Sequence, residues 1–139
     1  MSERFQGRGI VKGNKQGTLL VSRTPISFLG DLDIRTGQVI GSASDLHGRS
    51  IAGRILAVPS TRGSAGAWRF IYQLKQHDTH PLAIITDELP DPSVVQGAIL
   101  SGIPVVAGAA FLISDAVGDN TLVDVDGATG TVSIITNED

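Results

Sequence analysis

The spacing of apolar residues divides the chain into two halves of different character. From Phe5 to about Ala52, short β-rich segments such as Gly9–Val11 and Thr18–Val21 are interrupted by residue pairs that favour turns. These pairs are Gly13-Asn14, Gly30-Asp31, Thr36-Gly37 and His47-Gly48. The first half is therefore predicted to consist of strands and loops.

The second half begins with a mostly apolar segment that is followed by an amphipathic one. Gly53–Val58 is typical of a buried strand. From Ser64 to about His77, apolar side chains recur at positions i, i+3, i+4 and i+7, and these are Ala67, Phe70, Ile71 and Leu74. Residues with that spacing share one face of a helix, so the pattern predicts a helix over this segment.

The same order of strand and helix is repeated further along the chain. Leu82–Thr86 predicts a second buried strand, and Ile103–Ala107 predicts a third. Between them, Asp91 and Pro92 are typical of the N-cap and first position of a helix, which Gly102 would end. Strands that are apolar on both faces and separated by helices indicate a parallel sheet with right-handed crossovers.

Alternating apolar and polar residues near the C-terminus predict a hairpin. Thr121–Asp126 and Thr131–Thr136 flank the turn residues Gly127–Gly130. Helices that cover one face of the parallel sheet leave its other face for a second β layer. The predicted fold is therefore an α/β domain with β/β/α layers, and we expect residues 1–139 to form a single domain.

Composition narrows the classes of function. Of the 139 residues, 41% are hydrophobic and 18% are charged, which fits a compact core. The net charge is −3 and the basic residues form no run, so small molecules or another protein are expected as partners, with no nucleic acid and no membrane. The absence of cysteine excludes disulfides, a thiol nucleophile and an iron–sulfur cluster held by this chain's own thiolates. A polar N-terminus and the lack of any long apolar run lead us to expect a cytoplasmic protein.

The candidate chemistry centres on the loop between the first buried strand and the first predicted helix. This loop, Val58–Gly66, carries Ser64 at the point where the helix is predicted to begin. The first turn of a helix has unpaired amides and a partial positive charge, which favour a carboxylate, a phosphate or a developing oxyanion. On composition alone, a serine here is more typical of a plain N-cap. The loop is neither a Walker A motif nor a nucleophile elbow, because Arg62 stands where the elbow needs glycine.

Other polar residues allow more than one interpretation. Arg62, beside Gly63, has the chemistry to clamp a carboxylate or phosphate, but it is also typical of an exposed loop. The loop Pro25–Asp33 contains Ser27 and Phe28, which would either wall a pocket or turn the chain. His47, His77 and His80 lack the spacing of metal ligands and are expected at the surface.

Several segments together resemble the small subunits of aconitase X. They are Pro25–Gly30, Thr36-Gly37, Leu46–Gly48, Pro59, Arg62–Ser64, Tyr72–Leu74, Pro81 with Ala83–Ile85, Gly97–Ile99 and Gly102–Pro104. The similarity extends from about Gly7 to Ile135, and it depends on the order and spacing of the segments. No single motif among them is decisive.

The resemblance implies a swivelling β/β/α domain that closes over a large subunit carrying an iron or iron–sulfur centre. Proteins similar to this one dehydrate small hydroxy acids, either mevalonate 5-phosphate or cis-3-hydroxy-L-proline. The resemblance also implies that Ser64 is the proton acceptor. With Ser64 at the centre, we expect Arg62, Gly63, Ser27 and Phe28 to bind the substrate.

The chain departs from the family pattern at a few positions. Ala65, Ala67 and Trp68 stand where further hydroxyl residues often follow the serine, and Asp31 stands where a second glycine is usual.

Two other classes of function are open at this point. Parts of the chain look like the phosphohistidine domain of phosphoenolpyruvate-utilising enzymes, but Asp91–Gln96 lacks the histidine which that chemistry needs. The other class is a binding module without catalytic activity.

Overall fold

The computed structural model describes residues 3–62 and 65–135. Within those residues the chain forms ten strands and three helices. The strands are β1 (Arg4–Gln6), β2 (Arg8–Val11), β3 (Asn14–Val21), β4 (Ile26–Ser27), β5 (Ile55–Ala57), β6 (Thr61–Arg62), β7 (Ala83–Thr86), β8 (Val105–Ala107), β9 (Leu122–Asp126) and β10 (Thr131–Ile134). The helices are α1 (Ala67–Gln76), α2 (Pro92–Ser101) and α3 (Ala110–Ala116).

One long strand, β3, joins two sheet layers. Its first part, Asn14–Thr18, pairs antiparallel with β9, which continues through β10 to β1. Its last part, Leu19–Val21, pairs in parallel with β5. The order β1-β10-β9-β3-β5-β7-β8-β2 follows, with β5, β7 and β8 parallel and β2 antiparallel at the edge. The predicted parallel sheet and C-terminal hairpin are therefore confirmed.

The parallel sheet is buried on both faces. Leu56 of β5 and Ile84 of β7 belong to a core that includes Ile71 and Leu74 of α1. Their neighbours in sequence belong to a second core with residues of β9 and β10, and these are Ile55, Ala57, Ala83 and Ile85. Since successive residues of a strand point to opposite faces, the sheet lies between α1 and α2 on one face and the second β layer on the other. The short helix α3 packs on the face of the second β layer, through Ala110 and Ile113. The predicted β/β/α arrangement is confirmed.

The helices agree with the sequence pattern in some places and differ in others. α2 begins at Pro92 and is ended by Gly102, whose φ of 68° is left-handed and is easily adopted by glycine. α1 begins at Ala67, with Gly66 as its N-cap, so the predicted start at Ser64 was wrong. The alternative in which Ser64 is the N-cap is corrected by the same finding. α3 was not predicted, because the apolar Phe111 and Leu112 are about half exposed and blur the helical pattern.

Across the described ranges, no helix is long and apolar enough to cross a membrane.

Candidate active site

The candidate site lies at the carboxyl ends of neighbouring parallel strands. β5 and β7 pair in register, and Pro59, after β5, accepts hydrogen bonds from the amides of Asp87 (3.1 Å) and Glu88 (3.2 Å), after β7. Ligands of α/β proteins commonly bind at this edge of the sheet, where loops from adjacent strands meet. The loop that carries Arg62 and Ser64 in sequence continues from β5 at this edge.

A short parallel ribbon brings together two loops that are far apart in sequence. In the ribbon formed by β4 and β6, Ile26 pairs with Thr61 and Ser27 pairs with Arg62. Neither strand was predicted, since two residues are too few to produce a periodic pattern. The ribbon places Ser27 and Arg62, two predicted site residues, beside each other.

These residues line a cleft of about 400 Å³. Its lining residues are Thr24, Pro25, Ser27, Asp31, Ala43, Ser44 and Arg62. Asp31 Oδ2 accepts a hydrogen bond from the Ser27 amide at 2.9 Å, which closes the loop on itself at the cleft wall. The cleft therefore presents hydroxyl groups, a carboxylate and a guanidinium to a bound molecule.

Part of this lining was not found from the sequence. Ala43 and Ser44 reach the cleft because the adjacent Asp45 holds the chain that follows β3. Its carboxylate accepts the Ser22 hydroxyl at 2.6 Å and the Arg23 amide at 2.8 Å. These contacts join residues about twenty positions apart, and no local pattern signals them.

Arg62 is the exposed cation of the cleft. Its side chain makes no ion pair or hydrogen bond with any residue in the described ranges. An unpaired guanidinium on a concave surface retains its five donors for an incoming anion. The geometry is therefore compatible with the predicted role of Arg62 in binding a carboxylate or phosphate.

Gly63 and Ser64, two of the predicted site residues, lie outside the described residues, but both of their flanks are described. On one side, Arg62 is held in the ribbon with Ser27. On the other side, Ala65 and Trp68 are hydrogen-bonded to the side chain of Ser93 in α2. Ser93 has no signal in the sequence, because this contact spans more than twenty residues.

Phe28 has a different place from the one expected. Its side chain is 0% exposed and packs in the core beneath the helices, together with Ile26, Leu32 and Leu46. A fully buried ring offers no surface to a substrate, so the structure gives Phe28 a packing role and does not place it on the cleft.

The three histidines differ in burial. His47 and His77 are exposed, as expected. His80 was expected at the surface, but its side chain is only 12% exposed and its Nδ1 is buried with no hydrogen-bond partner among the described residues. Burial, with a contribution from the charges of Lys75 and Lys15, lowers the pKa of His80 below its ordinary value, against the opposing effect of Asp78.

The potential metal ligands of the chain are dispersed over the described residues. The described residues contain no group of three or more His, Asp or Glu side chains placed to hold an ion, and the sequence has no cysteine.

Comparison with known proteins gives similarity over almost the whole length. Residues 4–134 match the aconitase X swivel domain family. The small subunit of phosphomevalonate dehydratase from Pyrococcus furiosus is 43% identical over 98% of both chains. The protein of the same name from Methanosarcina acetivorans is 39% identical over 95% of this chain and 91% of its own.

A solved structure agrees with the sequence matches. The crystal structure of Thermococcus kodakaraensis aconitase X in its holo-form superposes with a TM-score of 0.88 at 40% identity, covering 96% of this chain and 99% of that one. The resemblance noted in the sequence is thus confirmed over the described fold, and the chain belongs to the aconitase X swivel domain family.

Proposed function

We propose that this chain is the small subunit of a phosphomevalonate dehydratase, a hydro-lyase that is active only together with a large subunit. The observation that carries the proposal is the similarity to curated small subunits of that enzyme, which covers 98% of both chains in the Pyrococcus furiosus protein. Mevalonate 5-phosphate is therefore the proposed substrate. It is a charged, phosphorylated acid, which supports a cytoplasmic location.

Ser64 is the proposed proton acceptor. A serine hydroxyl is a weak base, so it accepts a proton only where its alkoxide is strongly stabilised. Two features near it in the chain favour negative charge. Arg62, two residues earlier, supplies an exposed guanidinium, and the first turn of α1, a ten-residue helix whose N-cap is Gly66, supplies a partial positive charge.

Arg62 is the proposed anchor for one of the anionic groups of the substrate. Phosphate and carboxylate both accept two hydrogen bonds from a guanidinium fork. Ser27, paired with Arg62 in the ribbon, and Gly63 are proposed to contact the same part of the substrate.

The other half of the site is proposed to come from the large subunit. An iron or iron–sulfur centre there would act as a Lewis acid on the departing hydroxyl group. The described part of this chain has no donor set for such a centre, so this chain is assigned only the binding of substrate and the removal of a proton.

The test is an assay of the complex formed with the large subunit. We expect water elimination from mevalonate 5-phosphate and none from cis-3-hydroxy-L-proline. Ser64→Ala should lower kcat by about 10²- to 10⁴-fold, as is typical when a positioned base is lost. The matched control is Ser133→Ala in β10, where we expect an unchanged rate because this serine lies in the second β layer.

Three results would contradict the proposal. Turnover of cis-3-hydroxy-L-proline alone would reassign the substrate. Full activity of Ser64→Ala would remove the proposed base. Turnover by the large subunit without this chain would favour a binding role that is not catalytic.

A further inference from the structure

One hydroxyl group bridges α2 and the segment that follows Ser64 in the chain. The Trp68 amide donates a hydrogen bond to Ser93 Oγ at 3.0 Å, and the Ser93 hydroxyl donates to the Ala65 carbonyl at 3.0 Å. Ser93 lies in the first turn of α2 and is half-buried. The Ser93 hydroxyl therefore uses its one donor and one of its two acceptor lone pairs on this segment.

The hydrogen bond between the Trp68 amide and Ser93 acts as an N-terminal cap of α1. The first amides of a helix have no partner within the helix, and a side chain at the N-cap normally accepts from one of them. In α1 the N-cap is Gly66, which has no side chain, and Trp68 is the second residue of the helix. Ser93 supplies the missing acceptor from another helix, so the start of α1 depends on α2.

The first turn of α2 reaches both flanks of the loop. The amide of Asp91, its N-cap residue, donates to Thr61 Oγ1 at 3.4 Å, next to Arg62. Ser93 holds Ala65 on the other side. Ala65 directly follows Ser64 in the chain, so Ser93 holds the residue next to the proposed proton acceptor.

Close packing of the two helices fixes Ser93 itself. Gly97 follows Ser93 by one helical turn, on the same face of α2. A Cβ at Gly97 would stand 2.9 Å from Trp68 Cα and 3.0 Å from Ile71 Cβ. The glycine thus permits the short helix separation at which the Ser93 hydroxyl reaches the backbone of α1.

We propose that Ser93 is a positioning residue, which sets the place of the catalytic serine by holding Ala65 and Trp68. The proposal depends on the proposed function, in which Ser64 takes the proton. Ser93 acts through the backbone of the loop and does not touch the substrate. Its loss should therefore slow the chemical step more than it weakens substrate binding.

The first experiment measures the hydrogen bond without any enzyme assay. Trp68 is the only tryptophan of the chain, so labelling with ¹⁵N-tryptophan gives a single backbone amide signal from the full chain. In Ser93→Ala we expect this amide to exchange with solvent at least about tenfold faster than in the wild type, because its acceptor is gone. Equal exchange in the two proteins would overturn the proposal.

A second serine of α2 provides the matched control. Ser101, in the last turn, is 2% exposed, and its Oγ has no hydrogen-bond partner among the described residues. Ser101→Ala should leave the Trp68 exchange rate unchanged. An equal acceleration in both variants would show a general loosening of α2 and would overturn a specific role for Ser93.

The second experiment uses the complex with the large subunit and mevalonate 5-phosphate. Ser93→Ala should lower kcat about 10- to 100-fold while KM stays within about threefold. Ser93→Thr keeps a hydroxyl and should restore most of the lost rate. If Ser93→Ala is fully active and Ser64→Ala is inactive, the positioning role of Ser93 is overturned and the proposed function stands. If Ser64→Ala is fully active, the proposed function is overturned, and the role of Ser93 with it.

Discussion

Gly97 of α2 lies against Trp68 of α1 so closely that a Cβ on the glycine would stand 2.9 Å from the Trp68 Cα. The obstructing atom belongs to the backbone, so no change of rotamer relieves the contact. The separation of the two helices is therefore set by the absence of a single methyl group, and the hydrogen bonds of Ser93 depend on that separation.

Gly97→Ala should destabilise the protein. Alanine is favoured over glycine inside a helix by about 1 kcal/mol, but overpacking a well-filled interface costs about 1–3 kcal/mol, and here the backbone must move. We expect a net decrease in the free energy of unfolding, measured by urea denaturation. Gly118→Ala is the control, because a Cβ at Gly118 meets nothing within 4 Å. A Gly97→Ala protein as stable as the control variant would contradict the packing argument.

Arg62→Ala should weaken substrate binding without affecting stability. The guanidinium is exposed and has no partner in the described part of the chain, so its removal breaks no contact there. We expect KM for mevalonate 5-phosphate to rise about tenfold or more, since a charge-assisted hydrogen bond contributes about 1.5–3 kcal/mol. Arg62→Lys should recover part of the loss, because an ammonium keeps the charge but not the fork.

The matched control for Arg62 is Arg8→Ala. Arg8 is exposed on β2, at the edge of the sheet, and does not line the cleft. Steady-state kinetics of the complex should give an unchanged KM for this variant. An equal effect of the two substitutions would indicate that only the net charge of the subunit matters.

His80 should make the protein less stable as the pH falls below neutral. Its pKa is lowered from 6.5, so the unfolded chain binds a proton before the folded protein does. Stability that is present above pH 6.5 is therefore lost as the pH decreases through that value toward the folded pKa. In His80→Gln the free energy of unfolding should depend less steeply on pH between about pH 8 and about pH 5.

Urea denaturation across that pH range checks the role of His80. His47→Gln is the control, because His47 is exposed and its replacement should leave the slope of the wild type. Identical slopes in His80→Gln and the wild type would show that another group is responsible.

Asp119 should stabilise the fold at neutral pH and lose this effect in acid. Burial alone would raise its pKa, but the hydrogen bonds from Arg49 (2.8 Å) and the Val21 amide (2.7 Å), with the charges of Arg49 and Arg54, lower the pKa below 3.8. The contribution is thus present above pH 3.8 and disappears as the pH falls through the folded value.

Asp119→Asn should accordingly lower the thermal midpoint at neutral pH, and the difference from the wild type should shrink in acid. High salt should also reduce the difference, because the pair with Arg49 is partly exposed. Asp115→Asn is the control, since the contact of Asp115 with Arg23 is exposed and 3.9 Å long. If the thermal midpoints of Asp119→Asn and the wild type still differ in acid, the charge of Asp119 is not the cause, and the shape of its side chain is.

The sequence predicted the elements whose signals are local. β7 and β8 are apolar runs because both of their faces are buried, and α2 is bounded by Pro92 and Gly102, whose backbone chemistry fits the two ends of a helix. The start of α1 was placed too early because Ser64 is a good N-cap residue by type, whereas the amide of Trp68 is satisfied by Ser93, 25 residues away.

Contacts between distant residues explain the other differences. The Phe111 amide, in the first turn of α3, donates a hydrogen bond to Asp87 Oδ1 at 2.9 Å, and no residue nearby in the sequence reveals this cap. The burial of Phe28 results from how its loop folds over the core. The ribbon between Ser27 and Arg62 joins segments 35 positions apart. In each case the residue type was visible in the sequence, but its partner was not.

The strand β3, which is shared by the two β layers, also determines how the domain unfolds. Because β3 pairs with β9 in one layer and with β5 in the other, we expect that the two layers do not fold separately. Cleavage within Asn14–Val21 would break the strand that contributes Leu20 to one core and Leu19 to the other. Heating should therefore melt the two layers in one cooperative transition.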